Sequence, residues 1–295
     1  MKRPRARYLV MAIIAALALI VGLGGSMIWG NKSAKDRIQA DPAPALFHDA
    51  TIAPADRLVD PQAAKAHAMM KQWWAAHGQA PKDEAFVAWV GQTFPKPPSQ
   101  ADHRRELAQL KQLNANHTPQ GITASTWLEA HGKKDIWKLY AHDQAEWLPS
   151  KAGDARKADV KAILKLSGKA ADQLAARYPS SAPYVLDRGL LDPRSEDQDP
   201  IKKLKSEKRP CPCSYPSRHA AKAAAVRTYL GFSQPHMTAQ YRWMEDEIDW
   251  SRMYMGGHFP SDIAGGALLG DMVGEYYLVT RVGAAPQDLN RPSAG

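Results

Sequence analysis

From about Ala63 onward, apolar residues recur every three or four positions, and almost no stretch alternates apolar with polar. That period puts one apolar stripe on a helix, whereas a half-buried strand needs a period of two. "AAKAHAMMKQWWAAHG" has the helical spacing and stops at Gly78, and "PKDEAFVAWVGQTF" starts another helix behind a proline. "SQADHRRELAQLKQLNANH" lines up Leu107, Leu110 and Leu113, and "TASTWLEAHGKKDIWKLYAHDQAEWL" supplies one or two helices more. "KADVKAILKLSGKAADQLAARYP" ends before Pro179, and 180–200 read as a long loop. The chain therefore reads as all-α, without internal repeats or a phosphate-binding glycine pattern. Tryptophans 73, 74, 89, 127, 137 and 147 are expected to fill the seams between helices. Residues 32–62 carry four prolines and read as a linker laid over the surface.

The N-terminus adds a second constraint. Lys2, Arg3, Arg5 and Arg7 precede 24 uncharged residues, Tyr8 to Asn31. At about 1.5 Å per residue this length crosses a hydrocarbon core of about 30 Å. It reads as an uncleaved signal anchor or a cleaved signal peptide. Either way the basic start leaves the rest of the chain outside the cytoplasm, periplasmic and, in the anchored case, held at the inner membrane. Hydrophobic residues make up 44% and charged residues 23%, which excludes disorder as the default. The net charge of +9 comes without zinc-finger spacing, aromatic RNA-binding runs or a basic heptad, so it favours anion handling over nucleic acid. Cys211 and Cys213 are the two cysteines; a bridge across one residue is strained, and no His/Cys cluster accompanies them for zinc.

Chemistry concentrates in the last third. "KKLKSEKRPCP" places Arg209 seven residues after Lys202; "SYPSRHAAKAAAVRTYL" places Ser217, Arg218 and His219 at a predicted helix start; "SRMYMGGHFPSD" contains Arg252, His258 and Asp262. Singly, these are a solvated basic face, a helix cap and a surface ion pair. Together they meet the needs of phosphoryl transfer: cations and backbone N–H groups around an oxyanion, a nucleophile in line, and an acid for the leaving oxygen. Arginine's fork suits phosphate, and a helix N-terminus is an anion site. His258 is the candidate nucleophile, with Asp262 one turn on to accept its other ring N–H. Gly256 and Gly257 let backbone approach the anion, and His219 is the candidate acid.

In that order, K-x6-RP, PS-x-H and SR-x5-H-x3-D resemble the three-part signature of the type 2 phosphatidic acid phosphatase superfamily, closest to bacterial class A non-specific acid phosphatases. Vanadium haloperoxidases share that site. The resemblance implies a helical bundle of the acid phosphatase type over 151–283, with 63–150 a helical region of unassigned role and 284–295 a tail. It implies Lys202, Arg209, Ser217 and Arg252 as phosphate ligands, His219 as general acid, His258 as the nucleophile forming a phosphohistidine, and Asp262 as its orienter. It implies no metal or cofactor. The expected function is an exported phosphatase acting on phosphate monoesters or on lipid or small-molecule diphosphates. The chain departs from the family at Arg218, where glycine is usual, and arginine there either reaches outward or becomes a further phosphate ligand. Six residues between Pro210 and Ser217 also make a short loop. An impaired phosphate-binding or envelope protein, and a vanadium-dependent haloperoxidase, are the competing readings.

Overall fold

The computed structural model describes residues 32–190 and 214–290. The apolar segment 8–31, Lys202, Arg209, Cys211 and Cys213 lie outside them. The described residues form helices and no β-strand, and among them no helix is long and apolar enough to cross a membrane.

The helices are α1 (Ala34–Ala40), α2 (Asp49–His77), α3 (Asp83–Thr93), α4 (Gln100–Ala115), α5 (Pro119–His131), α6 (Asp135–Glu146), α7 (Ser150–Arg177), α8 (Arg218–Ser233), α9 (Thr238–Tyr254) and α10 (Pro260–Tyr277), with a short turn at Pro183–Leu186. Their ends follow local chemistry. Ser33 with Asp36, and Ser99 with Asp102, form capping boxes at α1 and α4. Gly78 ends α2 at φ 69°, which a side chain would resist.

Residues 32–62 differ from the linker expected. Thirty-four to forty are helical, and α2 runs straight through Pro54 and Pro61. An interior proline costs about 3 kcal/mol. Against that, α2 buries Ile52, Val59, Met70 and Trp73, each at 3% exposure or less and each contributing about 1.5–3 kcal/mol. Packing therefore overrides the breaker.

The regions 63–150 and 151–283 share one core. Trp73 packs edge-on to Phe86 at 5.5 Å and Phe86 stacks on Tyr276 of α10 at 4.2 Å, while Trp137 is fully buried in the same cluster. Trp147 departs from the seam-filling pattern, at 88% exposure. Helix α10 is the buried axis, packed against α8, α2 and α7. Its contact with α8 is close: a Cβ on Gly266 would come within 2.6 Å of Ala220 Cβ and the Ser217 carbonyl oxygen, one on Gly270 within 2.5 Å of Ala224 Cβ, and one on Gly274 within 2.7 Å of Thr228 Cβ.

Helix α9 carries Glu245, Asp246, Glu247 and Asp249 into the interior. Arg227 of α8 answers part of this charge, bonding Glu245 at 2.7 Å and Asp271 at 2.9 Å. Burial pushes Asp246, Glu247 and Glu275 each up to about 8.

Two outcomes are expected. Gly270→Ala would gain about 1 kcal/mol if helix propensity alone counted. The clash with α8 instead predicts a loss of about 1–3 kcal/mol in denaturant unfolding, and a gain would contradict the close packing. The raised carboxyls bind protons more tightly folded than unfolded, so their contribution is complete below about pH 4 and lost as pH rises towards 8. Burial lowers His67 and opposes this, but three acids outweigh one histidine. Tm should fall between pH 5 and pH 7; a rise across that window would contradict the assignment.

Candidate active site

The site is built where two helices begin. Ser217 is the N-cap of α8, its Oγ accepting the Ala220 N–H at 3.3 Å. Its own N–H donates to the Asp262 carbonyl at 2.9 Å. Asp262 is the third residue of α10, fully buried, and its Oδ2 accepts the Phe259 N–H at 2.8 Å. An acidic group there is favoured by the unpaired N–H groups and dipole of the helix start. Glu106 of α4 covers the same helix start, accepting from Ser261 N–H at 3.0 Å and from Ser261 Oγ at 2.8 Å.

His258 sits in the turn between α9 and α10. The turn is tight: the N–H groups of Gly257 and His258 both donate to the Arg252 carbonyl, at 2.9 and 3.2 Å. Gly256 adopts φ +61°, and a Cβ there would lie 2.7 Å from Leu190 Cβ, so glycine is required on both counts. The imidazole is 15% exposed. The expected direct hydrogen bond to Asp262 is not formed, because Nδ1 lies 3.7 Å from Oδ2. Ser214 intervenes, with its Oγ 3.3 Å from His258 Nδ1 and its hydroxyl donating to Asp262 Oδ2. Oδ2 is committed to the Phe259 N–H and the Ser214 hydroxyl, and the ring is coupled to it through that hydroxyl. Ser214 stands beside the second motif, but nothing in its spacing marks it as a relay.

Arg252, at the end of α9, is 4% exposed. Its Nη2 donates to the Ser125 carbonyl at 3.2 Å and its Nε to Ser251 Oγ at 3.2 Å, while Nη1 pairs with Glu129 of α5. Burial lowers its guanidinium to about 9. His219, in the first turn of α8 and 6% exposed, has Nε2 3.5 Å from the Glu129 carbonyl oxygen. Glu129 thus touches two predicted site residues. Nothing in the sequence singles it out, because a lone glutamate in an ordinary helix gives no signal.

Arg218 turns to α7, with its side chain 21% exposed. Its Nη1 lies 2.5 Å from Asp172 Oδ1 on α7. The structure therefore links Ser217 to Asp262 directly, Asp262 to His258 through Ser214, His258 to Arg252 through backbone, and Arg252 to His219 through Glu129; Lys202 and Arg209 fall outside the described residues. Among the described residues, the group with metal-ligand spacing is His142, Asp143 and Glu146 on α6. Glu146 there also pairs with Lys35 at 3.6 Å, as an exposed ion-pair cluster does.

No family model, curated protein or solved structure matches the chain. An imidazole whose Nδ1 is tied to a hydroxyl–carboxylate pair presents Nε2 outward as a base or nucleophile. The buried Arg252 guanidinium offers planar donors for an oxyanion, with Glu129 as the anion that an incoming one must displace or share. Glu129→Gln should accordingly tighten binding of inorganic phosphate roughly tenfold in calorimetry, the order of one charge-assisted contact. Weaker binding would mean that Glu129 positions Arg252 rather than competing for it.

Proposed function

We propose that the protein is an exported phosphatase that cleaves phosphate esters through a phosphohistidine, on a helical bundle of the acid phosphatase type. The observation that supports this most is the Ser217 N–H to Asp262 carbonyl bond, which holds the second and third motifs against each other. Residues 45 apart in the chain then occupy one site. In this reading the phosphoryl group is bound by Arg252, the Ser217 hydroxyl and the first N–H groups of α8, with Lys202 and Arg209 completing the shell. The segment 8–31 anchors or exports the chain.

The reaction runs in line. His258 Nε2 attacks phosphorus, forming the N–P bond as the P–O bond to the leaving group breaks. His219 gives its proton to the departing oxygen. Ser214 accepts the His258 Nδ1–H and passes the interaction to Asp262, which stabilises the imidazolium that develops. Water then attacks the phosphohistidine with His219 as base, returning both histidines to their starting state.

One observation favours a second reading, a phosphate-binding protein without turnover: Arg252 and Arg218 each already hold a carboxylate, Glu129 and Asp172. Hydrolysis by the purified protein separates the two. A screen of monoesters and diphosphates should find turnover that vanadate inhibits competitively, that EDTA leaves intact and that His258→Ala reduces to below a few per cent. Loss on chelation with recovery on adding a divalent ion would contradict the chemistry. Vanadate binding without any turnover would establish the second reading instead.

A further inference from the structure

Lys222 lies on α8 three residues beyond His219, on the same side of the helix. It is 3% exposed, and among the described residues nothing accepts a hydrogen bond from its amine or pairs with it. Its side chain lies against α7, where a Cβ at Gly168 would stand 3.4 Å from Cε and 3.6 Å from Nζ. The neighbours that act on the amine are Lys133 and Lys134 from the turn between α5 and α6, Arg218, and one carboxylate, Asp172. Asp172 is already engaged by Arg218 at 2.5 Å. Three further cations and one acid thus act on the Lys222 amine, and that acid is held by Arg218. A cation on a side chain so largely buried is disfavoured, and burial, reinforced by Lys133, Arg218 and Lys134, lowers it to about 7. A bound anion would reverse both effects.

The position of this cluster matters as much as its charge. If His219 protonates the leaving oxygen, the leaving group lies on the His219 side of the phosphoryl group. Lys222 is the next cation along the same helix face. We infer that Lys222, with Arg218, Lys133 and Lys134, forms a second anion subsite for the leaving group, so that the preferred substrate carries another phosphate or similar anion there, a diphosphate in the simplest case. The inference rests on the phosphatase reading for its orientation, though not for the existence of the subsite.

The test uses the full chain, with inorganic phosphate and inorganic diphosphate as calorimetric ligands and an aryl phosphate and an alkyl diphosphate as substrates. The parent protein should bind diphosphate at least tenfold tighter than phosphate. Lys222→Met should erase that preference and raise KM for the diphosphate roughly ten- to a hundred-fold, the value of one charge-assisted contact, while leaving the aryl phosphate unchanged. Lys133→Gln combined with Lys134→Gln, which alters less buried side chains, should act in the same direction and decides the matter if Lys222→Met does not fold. Equal losses on both ligands, or a diphosphate preference that survives both variants, would overturn the subsite. Monoester turnover without any diphosphate preference would overturn it and leave the phosphatase reading standing. A Lys222-dependent preference in a protein that hydrolyses neither substrate would keep the subsite and end the phosphatase reading.

Discussion

The site depends on how closely α8 and α10 approach. Gly266, Gly270 and Gly274 recur at four-residue intervals on α10 and meet Ala220, Ala221, Ala224, Ala225 and Thr228 of α8. With only glycine hydrogens on one side and mainly alanine methyls on the other, the two helices lie close together, and at their starts the Ser217 N–H reaches the Asp262 carbonyl. Larger residues would separate the axes by the width of a side chain and break that bond. The same approach carries Ser214 onto Asp262, and through Ser214 reaches His258. Apolar packing of an unremarkable kind thereby sets the geometry of a polar site.

Electrostatics sharpen what packing assembles. Arg252 is held in a nearly dry position by Ser125, Ser251 and Glu129, so its interaction with an anion would be little screened. Around it the interior is unevenly charged. Acids crowd α9, where Arg227 answers only some of them, whereas the face formed by α5, α7 and the start of α8 collects Lys133, Lys134, Arg218 and Lys222. Among the described residues these cations lie near the start of α8, and the buried acids lie on α9 and along α10. Such a division suits a site that draws phosphorylated molecules in by charge.

Much of this was legible in the sequence, and the failures have physical causes. Helical spacing and the stop at Gly78 were local signals, and the structure follows them. The prolines of α2 were read as breakers because propensity is local, whereas burial of Ile52, Val59, Met70 and Trp73 is not. At the site, the spacing of His258 and Asp262 correctly put them on neighbouring turns. It could not show that Phe259 and Ser214 had already taken the Asp262 oxygen nearest the ring, Oδ2. Ser214 and Glu129 enter from other elements, so no spacing rule finds them. Arg218 was recognised as unusual, but its partner Asp172 belongs to α7, across an interface that the sequence does not reveal.

The central claim is that His258 becomes covalently phosphorylated. Rapid acid quenching of the full chain with a radiolabelled phosphate ester, followed by peptide mapping, tests it directly. The account predicts an acid-labile phosphoenzyme whose label maps to the peptide containing His258, and no label in His258→Ala. Steady turnover with no trapped label, or a label on another residue, would contradict it.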